Sequence, residues 1–282
     1  MDLIEGLRAI GAQRSDAIDI GRAALLLGAL DRPHADLNYY FDHLRAIGDE
    51  VFRQKEFALS AQRPAQSLSA QHQALILSRV LADDYGYNGD HLTYDDRRNA
   101  NLLDVIDRRK GLPVALSILY IHAARAQGWR LEGLNFPGHF IVRLEAGSDA
   151  VILDPFNGGR ILRGDDLLNL LQQLGGSAVG QVSAEHLQSV SSRDILLRLQ
   201  NNIKLRFLQS RQPDRAVEIL ERMRLIDPGS IDLIYELGGL YARTGRLRAA
   251  EEALNDCLKQ PMDARRAEEI KRTLDSLKRR LN

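Results

Sequence analysis

Cysteine occurs once in the 282 residues, at position 257. A single thiol forms no intrachain disulfide and no Cys-based metal site, which fits a reducing compartment. Net formal charge is zero, with 38 basic and 38 acidic residues. That balance gives no electrostatic reason to expect nucleic acid or an anionic membrane as partner. Long apolar runs are missing too. AALLLGAL at 23–30 is far too short to span a bilayer. The first residues include Asp2 and Glu5 and no basic cluster, so no secretory signal is expected and a cytoplasmic location is. The seven histidines, at 34, 43, 72, 91, 122, 139 and 186, show no paired ligand spacing, and no Walker loop or dinucleotide fingerprint is present. No metal and no cofactor is expected.

What remains is a globular chain, 44% apolar and 27% charged, long enough for one large or two ordinary domains. Residues 1–83 read as helices. Ala23, Leu26, Leu27 and Leu30 share one helical face, which Asp31-Arg32-Pro33 ends. Tyr40, Phe41, Leu44, Ile47, Val51 and Phe57 recur at three to four over about 37–57. A loop at 63–71 leads into another helix, and the Gly, Asn and Asp residues of 85–101 mark an irregular loop. Two helices follow over 102–126, separated by Lys110-Gly111. Pro113 suits the first turn of the second, where its missing N–H costs nothing. Short strands are predicted at 131–136, 139–145 and 150–156, with Gly147-Ser148-Asp149 as a hairpin turn and a further strand at RIL.

Residues 190–282 read as helices with an internal repeat. A shift of 34 carries Phe207 onto Tyr241, Ala216 onto Ala250, Leu220 onto Leu254 and Met223 onto Cys257. This resembles the tetratricopeptide repeat, in which small residues let antiparallel helices pack closely. Two repeats fall short of the three or so that such arrays need alone, so support from upstream is expected, and 264–280 reads as a capping helix. Cys257 occupies a packing position of the second repeat.

The segments YDDRRNANLLDVIDRRKGLPVALSILY (94–120), FPGHFIVR (136–143) and LDPFNGG (153–159), with ALLLGALDRP near the start, together resemble the bacterial SirB-type family. The resemblance implies an α+β fold. A helical part (1–83) would precede a transglutaminase-like, papain-related core with a small antiparallel sheet (84–185), followed by two tetratricopeptide-like repeats with a capping helix (190–282). It implies no particular reaction.

In thiol enzymes of that kind a Cys at a helix N-terminus is held as thiolate by the helix dipole and a His, which an Asp orients. His139 and Asp154 stand in that order here, on neighbouring predicted strands. Aligning Gly111-Leu112-Pro113 with the family's Gly-x-Cys puts Pro113, which carries no nucleophilic atom, in the thiol's place. Ser117, one turn further on, is the alternative nucleophile, although a mid-helix Ser more often bonds its own backbone. Ahead of the helix, Arg97, Arg98, Asn99, Asn101, Arg108, Arg109 and Lys110 form either an anion-recognising rim or a set of helix caps and dipole partners. One of these arginines is expected to pair with Asp95 or Asp107. Phe207 and Tyr241 are candidates for a peptide groove on the repeats. The leading expectation is a non-catalytic module that recognises an unidentified protein or peptide. The alternative is a hydrolase or acyl-transfer enzyme that uses His139 and Asp154 with Ser117 or an activated water.

Overall fold

The computed structural model describes residues 2–60, 67–175 and 181–281. The chain divides into two compact units. One is Arg14–Leu196, and the other joins Met1–Gln13 to Leu197–Asn282. The division differs from the three segments expected. The first helix belongs with the repeats, and the remaining N-terminal helices belong with the α+β core. Residues 63–66 of the expected 63–71 loop lie outside the described residues.

In the unit Arg14–Leu196, α2 (Ile20–Ala29), α3 (Leu37–Ser60) and α4 (Ala70–Ser78) precede a π-helical turn at Arg79–Asp84. Then come β1 (Asn88–Gly89), α5 (Leu102–Arg108), β2 (Lys110–Gly111) and α6 (Pro113–Ala126). β1 pairs with β2 in parallel. α6 is the central helix. Apolar residues surround it, and it is buried on nearly every face, which is why it shows little amphipathic patterning. α2 and α3 pack against it, and the sheet lies beside it.

That sheet contains β3 (Arg130–Leu134), β4 (Ile141–Ala146), β5 (Asp149–Asp154), β6 (Arg160–Leu162) and β7 (Ser189–Val190), ordered β6-β5-β4-β3-β7. Every neighbouring pair is antiparallel. The β4–β5 hairpin turns at Gly147, whose φ of 62° is one that glycine adopts without penalty. α7 (Gly164–Gly175) covers part of the sheet, with Leu167 and Leu171 packed on Leu134, Phe136 and Ile141. β7 lies beyond the expected end of the core at 185, because two residues suffice to extend a sheet edge without leaving a periodic signature.

In the other unit α1 (Leu3–Gly11) packs on α9 (Pro213–Ile226). α8 (Ser192–Gln209), inside which the division falls, leads into α9, which packs on α10 (Ile231–Arg243). α10 and α11 (Leu247–Leu258) form a helical pair, and α12 (Ala264–Leu281) follows. The 34-residue register holds in the packing, since Ala216, Leu220 and Met223 are buried, as are Ala250, Leu254 and Cys257. A Cβ on Gly238 would meet Leu254 Cδ2 at 3.3 Å, so the missing side chain is what lets α10 and α11 approach. Gly11 is tighter still, for a Cβ there would lie 2.1 Å from the Leu225 carbonyl oxygen.

Candidate functional site

His139 sits two residues before β4, in a loop where Gly138 takes φ 65°. Asp154 is the last residue of β5. β4 and β5 are registered so that Val142 opposes Leu153. Carried one step on, that register sets Asp154 opposite Ile141, with His139 just beyond. The two side chains meet, His139 Nε2 lying 2.9 Å from Asp154 Oδ2. The imidazole keeps 13% of its surface and the carboxylate 2%. Because the bond uses Nε2, Nδ1 is the nitrogen turned away from the acid.

Asp154 is held from several sides. Its Oδ1 accepts from the backbone N–H groups of Phe156 (3.0 Å) and Asn157 (3.4 Å), and its Oδ2 accepts from Asn157 Nδ2 at 2.7 Å. Burial alone would push this carboxyl up. The bond and charge of His139, with the Asn157 and Phe156 donors, more than offset that and leave it below the ordinary carboxylate range. The turn after it closes through Gly159, whose N–H donates to the Asp154 carbonyl and whose carbonyl accepts from Ser78 Oγ at 2.8 Å. A Cβ at Gly159 would collide with Ser78 Oγ and with the Tyr120 hydroxyl. Phe156 lies edge-on to His139, with ring centroids 6.1 Å apart, and also touches His91 and Tyr94. The sequence reading missed Asn157, Ser78, Tyr120 and Phe156. Only Asn157 carried a local signal, an acceptor Asp followed three residues later by an amide donor.

Pro113 is the first residue of α6, where the aligned thiol would stand, and Leu112 before it provides no side-chain cap. Ser117 is fully enclosed, and its Oγ has no hydrogen-bond partner among the described residues. It is therefore bonded neither to His139 nor to its own backbone, and both sequence readings of it are corrected. A nucleophile needs its base within reach and an open path to a substrate. Cys257 is no substitute. It is packed among Ile234, Ala253, Leu254 and Ile270, and burial pushes its thiol up to about 11.

Most of the expected anion rim is internal structure. Asn101 caps α5, accepting from Leu103 N–H and donating to the Gly28 carbonyl. Asn99 donates to the Thr93 carbonyl and accepts from Arg108. Arg108 also pairs with Asp90, whereas Asp107 takes Arg32, which lies outside this group, so the expected Asp107 partnership is corrected. Asp90 is chosen because its loop folds back on itself, through Thr93 N–H and Oγ1, and brings the carboxylate beneath α5. Arg97 lies on the surface, and Arg109 bonds His43 and Tyr87. On the repeats, Phe207 is buried with Arg215 over its ring, so it forms no groove surface. Tyr241 does line a cavity of about 410 Å³, with Arg8, Glu221, Arg224 and Leu237. Its hydroxyl donates to Glu221 at 2.6 Å and is pushed up to about 12 by burial and that carboxylate.

Residues 40–201 match the profile of the transglutaminase-like superfamily, over more than half the chain. The chain belongs to the transglutaminase-like superfamily. Residues 203–275 of this transglutaminase-like protein match the tetratricopeptide repeat. A UPF0162 protein of Xylella fastidiosa (strain Temecula1) is 31% identical over 250 residues, covering 86% of this chain and 82% of that one. A UPF0162 protein of Vibrio cholerae is 27% identical over 242 residues, 86% of this chain and 84% of the relative. The human F-box only protein 21 is 32% identical over 108 residues, which span 37% of this chain and 17% of that protein. The SirB-type resemblance and the α+β fold class stand with these relatives. Among the described residues, no group of three His, Cys, Asp or Glu could hold a metal ion, and no helix is long and apolar enough to cross a membrane.

Proposed function

We propose that this chain is a recognition module built on a transglutaminase-like scaffold, in which the His139–Asp154 pair binds a protein or peptide segment without cleaving it. The observation that carries this reading is an oriented, buried-acid dyad beside a helix whose first residue is Pro113. An imidazole fixed by a shielded carboxylate donates or accepts a strong hydrogen bond, and so can grip an amide or a chain terminus. Acyl transfer also needs an attacking atom, and neither Pro113 nor the enclosed Ser117 provides one. The tetratricopeptide helices support the same reading, since such repeats present surfaces to other proteins.

The competing reading is hydrolysis by a water that His139 activates, and the partial exposure of the ring keeps it testable. The deciding experiment profiles a broad set of amides and esters with the wild type, His139→Ala and Asp154→Asn. Captured partners are compared in parallel. No turnover above background, with a partner retained by wild type and lost by His139→Ala, supports recognition. Turnover that both substitutions abolish would replace it with the hydrolase.

A further inference from the structure

Among the described residues no carboxylate lies within ion-pair distance of Arg109, in contrast to Arg98 and Arg108. Arg98 has Asp96 and Arg108 has Asp90. The Arg109 guanidinium instead lies 4.7 Å over the Tyr87 ring and 5.9 Å from that of Tyr85. Its Nη1 donates to the Tyr87 hydroxyl and lies 2.7 Å from His43 Nε2. The Tyr87 hydroxyl lies 2.7 Å from the same nitrogen. A ring nitrogen that faces two donors must offer its lone pair, so His43 is neutral and carries its proton on Nδ1. Burial and the Arg109 charge act in the same direction and hold this imidazole down to about 4.

Every partner of Arg109 is thus uncharged. A half-buried guanidinium surrounded by phenols and a neutral imidazole has a positive charge unmatched within its own corner. The nearby acids Asp107 and Glu50 are engaged by other partners. Asp107, which faces His43, is bonded to Arg32 and Tyr40, while Glu50, paired with Arg53, and Asp49 act on Tyr85. The backbone is unusual on both sides of the corner. Arg109 takes a left-handed φ of 57° as it leaves α5, and Tyr85 follows directly on the π-helical turn. Left-handed non-glycine residues and π-turns both recur where a side chain must be aimed at a ligand. Tyr87 is sealed, but His43, Tyr85 and Arg109 all keep solvent access.

We infer that Arg109, His43 and Tyr85 form a binding site for a small oxyanion, a phosphate or carboxylate group, which shares no residue with the His139–Asp154 pair. The bound anion takes the Arg109 N–H groups that the phenol and imidazole leave unused, together with His43 Nδ1–H. Tyr85 forms the wall. The charge-assisted hydrogen bonds replace solvent around a cation that is already half desolvated and held rigid by stacking.

The full chain is titrated with inorganic phosphate, with acetate, and with chloride at matched ionic strength, while the seven imidazoles are followed by NMR. His43→Gln assigns the resonance. Saturable shifts of His43 with phosphate, acetate or both are expected, and these arms separate a phosphate from a carboxylate ligand. The His43 titration midpoint should rise at saturation, because a neighbouring anion favours the imidazolium. Arg109→Gln should weaken binding by about tenfold or more. Arg109→Lys, which retains the charge but loses the fork, should fall between, and thermal melts establish that each variant is folded. Shifts that chloride reproduces, or equal affinities in wild type, Arg109→Gln and Arg109→Lys, would overturn the site.

Discussion

Asp154 joins His139, Phe156 and Asn157 through one buried carboxylate. Its native acidity is enhanced, so it contributes stability above the ordinary carboxylate value of about 3.9 and loses that contribution as pH falls through its lower native value. Asp154→Asn should therefore cost about 1–3 kcal/mol at pH 7. The gap from wild type should close in acid, as urea denaturation at pH 7 and near pH 3 would show. A gap independent of pH would mean that the carboxylate charge is irrelevant. Pro113 offers a complementary test. If the helix mouth faces His139, the thiol introduced by Pro113→Cys should ionise at least one unit below the usual 8.5 or so, and adding His139→Ala should restore it. Thiolate ultraviolet absorbance against pH measures this without needing reagent access to a buried position, and burial pushes the natural thiol up to about 11, clear of the range read. Identical profiles in the two backgrounds would remove the thiol-enzyme reading of this corner.

Among the elements, those with a period were legible and those without one were not. α3 and the 34-residue repeat could be read because apolar residues recur at helical spacing, and β3 to β5 because short apolar runs are bounded by Gly, Asp and Asn turns. The His139–Asp154 meeting was legible for the same reason, since one hairpin turn sets the β4–β5 register. The π-helical turn, β7 and the Arg108–Asp90 bridge were not, as each depends on contacts between residues far apart or on a local distortion with no compositional mark. The placement of α1 on α9 was hidden as well, although Gly11 is the residue that permits it. Gly11→Ala would force its methyl into a backbone carbonyl, which cannot swing aside as a side chain can. A loss of about 1–3 kcal/mol is expected, with hydrogen exchange accelerating in α1 and α9. Unchanged protection there would mean the two helices are not packed as described.

At the scale of the molecule, the chain encloses one unit between two parts of another. Each unit has its own apolar core, so unfolding need not be two-state, and calorimetry and denaturant curves should be fitted accordingly. Removing residues 2–13 should lower the midpoint of the repeat-containing unit and leave that of Arg14–Leu196 in place, read by exchange mass spectrometry segment by segment. Equal losses in both, or none, would contradict the division.

The same arrangement fixes an order of events during synthesis. α1 leaves the ribosome well before α9, the surface that shields it, which is made roughly 200 residues later, a delay on the order of ten seconds or more at ordinary elongation rates. Throughout that interval a short amphipathic stretch bearing Leu7 and Ile10 has no partner helix to cover it on the nascent polypeptide.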